Sequence, residues 1–117
     1  MTLFPRALTR ALLPAFAGTV GLLTVSAAVG AAPAAKESIA IHNFAFVPAI
    51  IVVKPGTTVT WTNFDEDPHT ATATDKSFHS SALDTRDTYS FTFTRPGEFA
   101  YFCALHPHMT GKVIVKG

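Results

Sequence analysis

TYSFTFTRPGEFAYFC, residues 88–103, decides the fold. Tyr89, Phe91 and Phe93 fall on one face, and Ser90, Thr92 and Thr94 on the other. Alternation with a period of two, rich in aromatic and β-branched residues, is the mark of a half-buried strand. Arg95-Pro96-Gly97 turns the chain, because proline and glycine both punctuate extended runs. Glu98–Cys103 then reads as the returning strand.

The same pattern extends outward. Upstream, Ile39 and Ile41 alternate with polar partners, followed by Phe44 and Phe46. Ala49–Val53 is a compact apolar run stopped by Lys54-Pro55-Gly56. Thr57–Asn63 alternates Val59 and Trp61 with threonines, and His69–Thr74 alternates again. Downstream, Lys112–Lys116 closes the chain. Six or seven short strands with Pro/Gly turns predict an all-β antiparallel sandwich or barrel. The loop Asp75–Asp87 has room for one helical turn, but its pattern does not establish one.

The first 35 residues belong to a different class. They contain no acid, and Arg6 and Arg10 precede a long apolar run that ends in small residues. A basic start, an apolar middle and a small-residue exit are the features of a secretory signal peptide. Cleavage is expected between Ala27 and Ala35, leaving a domain of residues 36–117. The alternative is an uncleaved membrane anchor, since about 20 apolar residues suffice to span a bilayer.

The domain itself carries seven Lys/Arg and eight Asp/Glu, so the full chain's net charge of +1 comes from the leader. A near-neutral surface without a basic cluster excludes a nucleic-acid partner. An exported domain this small often needs a staple. The chain's single cysteine, Cys103, cannot make an internal disulfide.

That cysteine opens CALHPHM, residues 103–109, which also holds His106, His108 and Met109. The stretch forms a tight loop between the last two strands. His69, 34 residues upstream of Cys103, opens another strand after the acidic loop Asp65-Glu66-Asp67-Pro68. A sandwich brings such loops to one end. Two imidazoles, one thiolate and a weak thioether form the set that suits a blue copper ion. A Cys/His nucleophile would leave Met109 without a role. A structural zinc site prefers several thiolates or histidines in a closed tetrahedron.

His106 and His108 compete for the loop's imidazole position. Adjacent extended residues point in opposing directions, so His108 and Met109 do not readily reach one ion together. His106 leaves two residues before Met109, enough for a turn that Pro107 stiffens. His42 and His79 read as surface or hydrogen-bonded histidines. Asp65, Glu66 and Asp67 read as a solvated turn, with a docking patch for a basic partner as the minor reading.

Together, KPGTTVTWTN (54–63), DPH (67–69) and YSFTFTRPGEFAYFCALHPHMTGKVIVK (89–116) resemble the cupredoxins, the small blue copper proteins, and most of all their amicyanin and plastocyanin-like branch. The resemblance covers nearly all of residues 38–117. It implies an eight-strand Greek-key sandwich and one type 1 copper held by His69, Cys103, His106 and Met109. It also implies that Asn63 braces the cysteine side of the site. The outer edge of His106 then becomes an electron port, rimmed by Pro68, Ala104, Leu105 and Pro107.

The function expected is single-electron carriage by a monomeric periplasmic or otherwise exported protein, not an enzyme. Its partners would be redox proteins such as a dehydrogenase, a cytochrome or an oxidase. Copper delivery or buffering is the alternative, weakened by the presence of only one methionine in the domain.

Overall fold

The structure is a computed structural model that describes residues 11, 14–24 and 35–117. The expected cleavage window lies outside the described residues except for Ala35. Among the described residues there is no helix. Eight strands form two four-stranded sheets: β1 (Lys36–His42), β2 (Ala45–Val47), β3 (Ile50–Val53), β4 (Thr57–Asn63), β5 (Thr72–Ala73), β6 (Thr88–Phe93), β7 (Gly97–Phe102) and β8 (Thr110–Val115). One sheet runs β2-β1-β4-β6 and the other β3-β8-β7-β5. The Greek-key sandwich expected from the sequence is the observed architecture.

The expectation of a purely antiparallel fold needs correction. β1 pairs parallel with β4, and β3 pairs parallel with β8. β2 and β3 lie on either side of a cis Val47–Pro48 bond and belong to different sheets. The chain therefore changes sheets along one edge, and β3 meets the C-terminal strand in the same direction. The expected strand His69–Thr74 is shorter than its alternation suggested. Only Thr72–Ala73 joins the sheet, while His69 makes an isolated bridge to Leu83. The Asp75–Asp87 loop forms no helical turn; it holds turns at its two ends, with His79 bridging Thr72 and Leu83 bridging His69 between them.

The alternation read from the sequence sorts as expected across β4. Val59 and Trp61 are fully buried, while Thr58 and Thr60 face outward. There they meet Thr92 and Ser90 on β6 through hydroxyl pairs at 2.8 and 2.7 Å. The core collects Ile39, Ile41, Phe46, Val59, Trp61, Phe78, Phe93, Phe99, Tyr101, Val113 and Val115 between the sheets. Gly111 on β8 sits directly opposite Tyr101 on β7. A methyl group at position 111 would overlap the Tyr101 ring and hydroxyl, so the tyrosine lies over a position that only glycine leaves open.

Candidate metal centre

Cys103 leaves the end of β7, and its loop closes through two consecutive turns. His106 N–H donates to Cys103 C=O at 3.2 Å, and Met109 N–H donates to His106 C=O at 2.9 Å. Cys103 N–H returns to Met109 C=O at 3.0 Å. Pro107 follows His106, where its fixed φ suits the second turn. The three-residue spacings from Cys103 to His106 to Met109 thus become turns that carry three side chains to one end of the sandwich. Cys103 and Met109 are buried, His106 is partly buried and His108 is exposed.

His69 arrives from the other sheet. Asn63 ends β4, and its side-chain amide donates to Asp67 C=O and Leu83 C=O, each at 2.8 Å. Its carbonyl oxygen accepts Asp65 N–H at 2.9 Å. His69 and Leu83 then exchange both backbone hydrogen bonds, at 3.1 and 2.7 Å. These bonds fold residues 63–69 back under the site and bury His69 completely.

His69 Nδ1 and His106 Nδ1 each lie 3.7 Å from Cys103 Sγ, and the three donor atoms lie within 4.8 Å of one another. A sulfur and a nitrogen bonded at about 2.3 and about 2.0 Å to one metal ion, at roughly 120°, are themselves about 3.7 Å apart. The donor set therefore fits one soft or borderline cation in trigonal geometry. Met109 occupies a buried position at the same end. The ring of His108 lies 6.4 Å from that of His106 and outside the donor cluster.

The bracing differs from what the resemblance implied. Asn63 holds the histidine side of the site, not the cysteine side. The cysteine side is braced by Thr70, which the sequence reading did not single out. Thr70 N–H donates to Cys103 Sγ at 3.3 Å, and Thr70 Oγ1 accepts Ala104 N–H at 2.7 Å. The hydroxyl also pairs with Thr72 at 2.9 Å. One residue thus ties the two donor loops together. The available signal was its position directly after His69, where its backbone and side chain must meet the neighbouring loop.

Asp65 and Phe44 were also missed. Asp65 is not a solvated turn residue, since its side chain is 10% exposed. Its Oδ2 lies 2.9 Å from His69 Nε2, and its two oxygens accept Asn43 N–H at 2.8 Å and Phe44 N–H at 2.9 Å. Partial burial pushes the Asp65 carboxyl up, but the backbone bonds from Phe44 and Asn43 and the His69 ring outweigh it and hold it below the usual carboxylate range. Asn43 and Phe44 form the two-residue β1–β2 hairpin loop, both at positive φ. That is the conformation favoured in such loops, though strained for phenylalanine. Phe44 consequently sits edge-on to both His69 and His106, with ring centroids 5.1 Å from each.

The expected rim of Pro68, Ala104, Leu105 and Pro107 is exposed, as is Phe44. His42 is also exposed, with its Nδ1 3.9 Å from Asp65 Oδ1, the carboxylate oxygen other than the one His69 meets. His79 lies on the Asp75–Asp87 loop, bridges Thr72 and is not one of the clustered donors.

A family model described as a cupredoxin-like domain matches residues 15–115. Amicyanin-alpha of Methylorubrum extorquens is 35% identical over 112 residues, covering 91% of this chain and 94% of that protein. Among solved structures, the amicyanin of Paracoccus versutus superposes with a TM-score of 0.64 at 31% identity, covering 73% of this chain and 85% of the other. A purple cupredoxin from Nitrosopumilus maritimus gives a TM-score of 0.65 at 31% identity, covering 68% of this chain and 99% of the other.

Proposed function

The chain belongs to the cupredoxin-like family, and from that premise we propose that it is an exported copper protein that passes single electrons between redox partners. The observation that carries this reading is the buried convergence of two imidazole nitrogens on one cysteine sulfur at 3.7 Å. His69, Cys103 and His106 would hold the ion most strongly, and Met109 would add a weak thioether that suits copper among the metals these donors accept. Copper bound there supplies a Cu(II)/Cu(I) couple.

The protein's own groups do the rest. The turn bonds of residues 103–109 and the Thr70 link hold the donors in a fixed arrangement, which limits movement when the charge changes. Burial of Cys103, His69 and Met109 excludes water from the sulfur. The Thr70 N–H bond to Sγ withdraws charge from the thiolate, a lever on potential in such centres. His106 is the ligand that reaches the surface, so its outer edge is the electron port. Pro68, Ala104, Leu105 and Pro107, joined by Phe44, form the apolar rim suited to brief, low-area docking of a redox partner. The acid-free, apolar segment of residues 1–35 directs export, and residues 36–117 carry the site. The protein is a carrier and not an enzyme.

The purified protein loaded with Cu(II) should show an intense cysteine-to-copper visible band, bleached reversibly by a reductant. A fully copper-loaded protein without that band would overturn the assignment. His106→Ala should abolish the band and His108→Ala should retain it; the reverse result would transfer the ligand role to His108.

A further inference from the structure

A carboxylate that bonds a ligand histidine has two options. It can act only as structural glue, or it can set the state of the imidazole. Asp65 is placed for the second. Asp65 Oδ2, an acceptor, lies 2.9 Å from His69 Nε2, which places a ring proton on Nε2, while Nδ1 is the nitrogen that faces Cys103 Sγ. Asp65 cannot swing away freely. Its two oxygens also accept the N–H groups of Asn43 and Phe44, its own N–H is held by Asn63, and its C=O accepts the Thr85 hydroxyl at 2.8 Å. The carboxylate is therefore fixed from both the hairpin and the β4 end. The hairpin it holds carries Phe44, whose edge packs on both ligand rings.

We propose that Asp65 is a positioning residue that locks His69 in the Nε2–H tautomer, lowers the reduction potential of the site through its negative charge, and pins the Asn43-Phe44 tip over the two histidines. A partner carboxylate on the far nitrogen makes an imidazole a stronger donor. A nearby negative charge also favours the more highly charged metal state, so removing it raises the potential. The potential part rests on the copper reading above; the tautomer and hairpin parts do not.

The test uses the full chain and three variants. In metal-free protein, long-range nitrogen–proton NMR should show His69 as the single Nε2–H tautomer in the wild type and as a mixture in Asp65→Ala. Amide exchange at Asn43 and Phe44 should be about tenfold faster in Asp65→Ala, as expected for loss of a charge-assisted acceptor. Asp65→Asn keeps an oxygen but loses the charge. Its copper form should have a higher potential, by about 59 mV for each tenfold selective loss of Cu(II) affinity. Losses from removing such partners run about 10–100-fold. Asp65→Glu restores the charge and should bring the potential back toward the wild type.

An unchanged tautomer in Asp65→Ala, or an unchanged potential in Asp65→Asn, overturns the proposal. If Asp65→Ala does not fold, the exchange measurement passes to Asp65→Asn, where unchanged rates at Asn43 and Phe44 overturn the proposal; its amide oxygen can still accept from His69 Nε2, so the tautomer is not read there. A protein that fails to bind copper refutes the proposed function, while the metal-free arms still decide the tautomer and the hairpin.

Discussion

Asp65 makes hydrogen bonds through both carboxylate oxygens, its N–H and its C=O, whereas Trp61, four residues before it in chain order, makes none through its ring nitrogen. Around Asp65 the chain is irregular and held by directional bonds. Around Trp61 it is regular and held by area: Phe78, Tyr89, Phe93 and Tyr101 surround the indole with ring centroids 5.4–6.4 Å away. Trp61 Nε1 and Tyr101 Oη are both buried, and the polar group that acts on the tyrosine hydroxyl is Trp61 itself. Each ring removes much apolar surface from water, which is what this layer contributes. The donor loops have little apolar surface to spend, so their geometry depends on each hydrogen bond. Stability and site geometry are therefore assigned to different layers of one small domain.

If that division holds, damage to the aromatic layer should lower stability without altering the centre's spectrum. Trp61→Ala should destabilise the metal-free protein by about 3–5 kcal/mol, read from its denaturant midpoint. Molecules that remain folded should keep the wild-type visible band. Loss of the band in folded protein would mean the two layers are coupled.

Tyr101 sharpens the same contrast through pH. Burial pushes its hydroxyl up to about 12, above the ordinary 10.0. A group whose folded pKa is raised contributes fully below pH 10 and loses its contribution as pH rises toward 12. The rise from 10.0 to about 12 corresponds to a loss of about 3 kcal/mol across that window. Tyr101→Phe should remove most of this alkaline loss in a denaturant series. Tyr89, raised by its own partial burial, leaves a residual slope of the same sign.

Gly111→Ala attacks the tyrosine from below, because the added methyl group meets the ring. Overpacking of this kind costs about 1–3 kcal/mol, measurable as a lower Tm. The smallest stability effect belongs to the polar layer. Thr70→Val removes the acceptor for Ala104 N–H and should cost about 1 kcal/mol, yet it should shift the visible band and the potential. An unchanged band would separate Thr70 from control of the centre.

Much of this arrangement was legible along the chain. Val59 and Trp61 pointed inward because alternation at period two leaves them no other face. Cys103, His106 and Met109 were legible as a group because their spacing is local and turns can be read from three-residue steps. The parallel pairs were not legible. Ile39 pairs with Trp61 and Ile51 with Val113, and the alternation of a strand is the same whichever direction its neighbour runs. The resemblance implied the wrong side of the site for Asn63, because a strand-ending asparagine braces whichever loop folds beside it, here residues 65–67 and Leu83. Asp65 looked like a solvated acid because nothing in DEDP announces that the Asn43-Phe44 turn, about twenty residues earlier, will close over it.

By itself the sequence determined the all-β class, the inward face of each long strand and the chemistry of the donor loop, since all three follow from side-chain type and short spacing. The tertiary structure alone decided strand direction, the Thr70 tie between the donor loops and the Asp65 link from His69 to the hairpin. Those depend on which distant backbone groups remain unpaired once the sheets have formed, and only the folded chain brings them within hydrogen-bond reach.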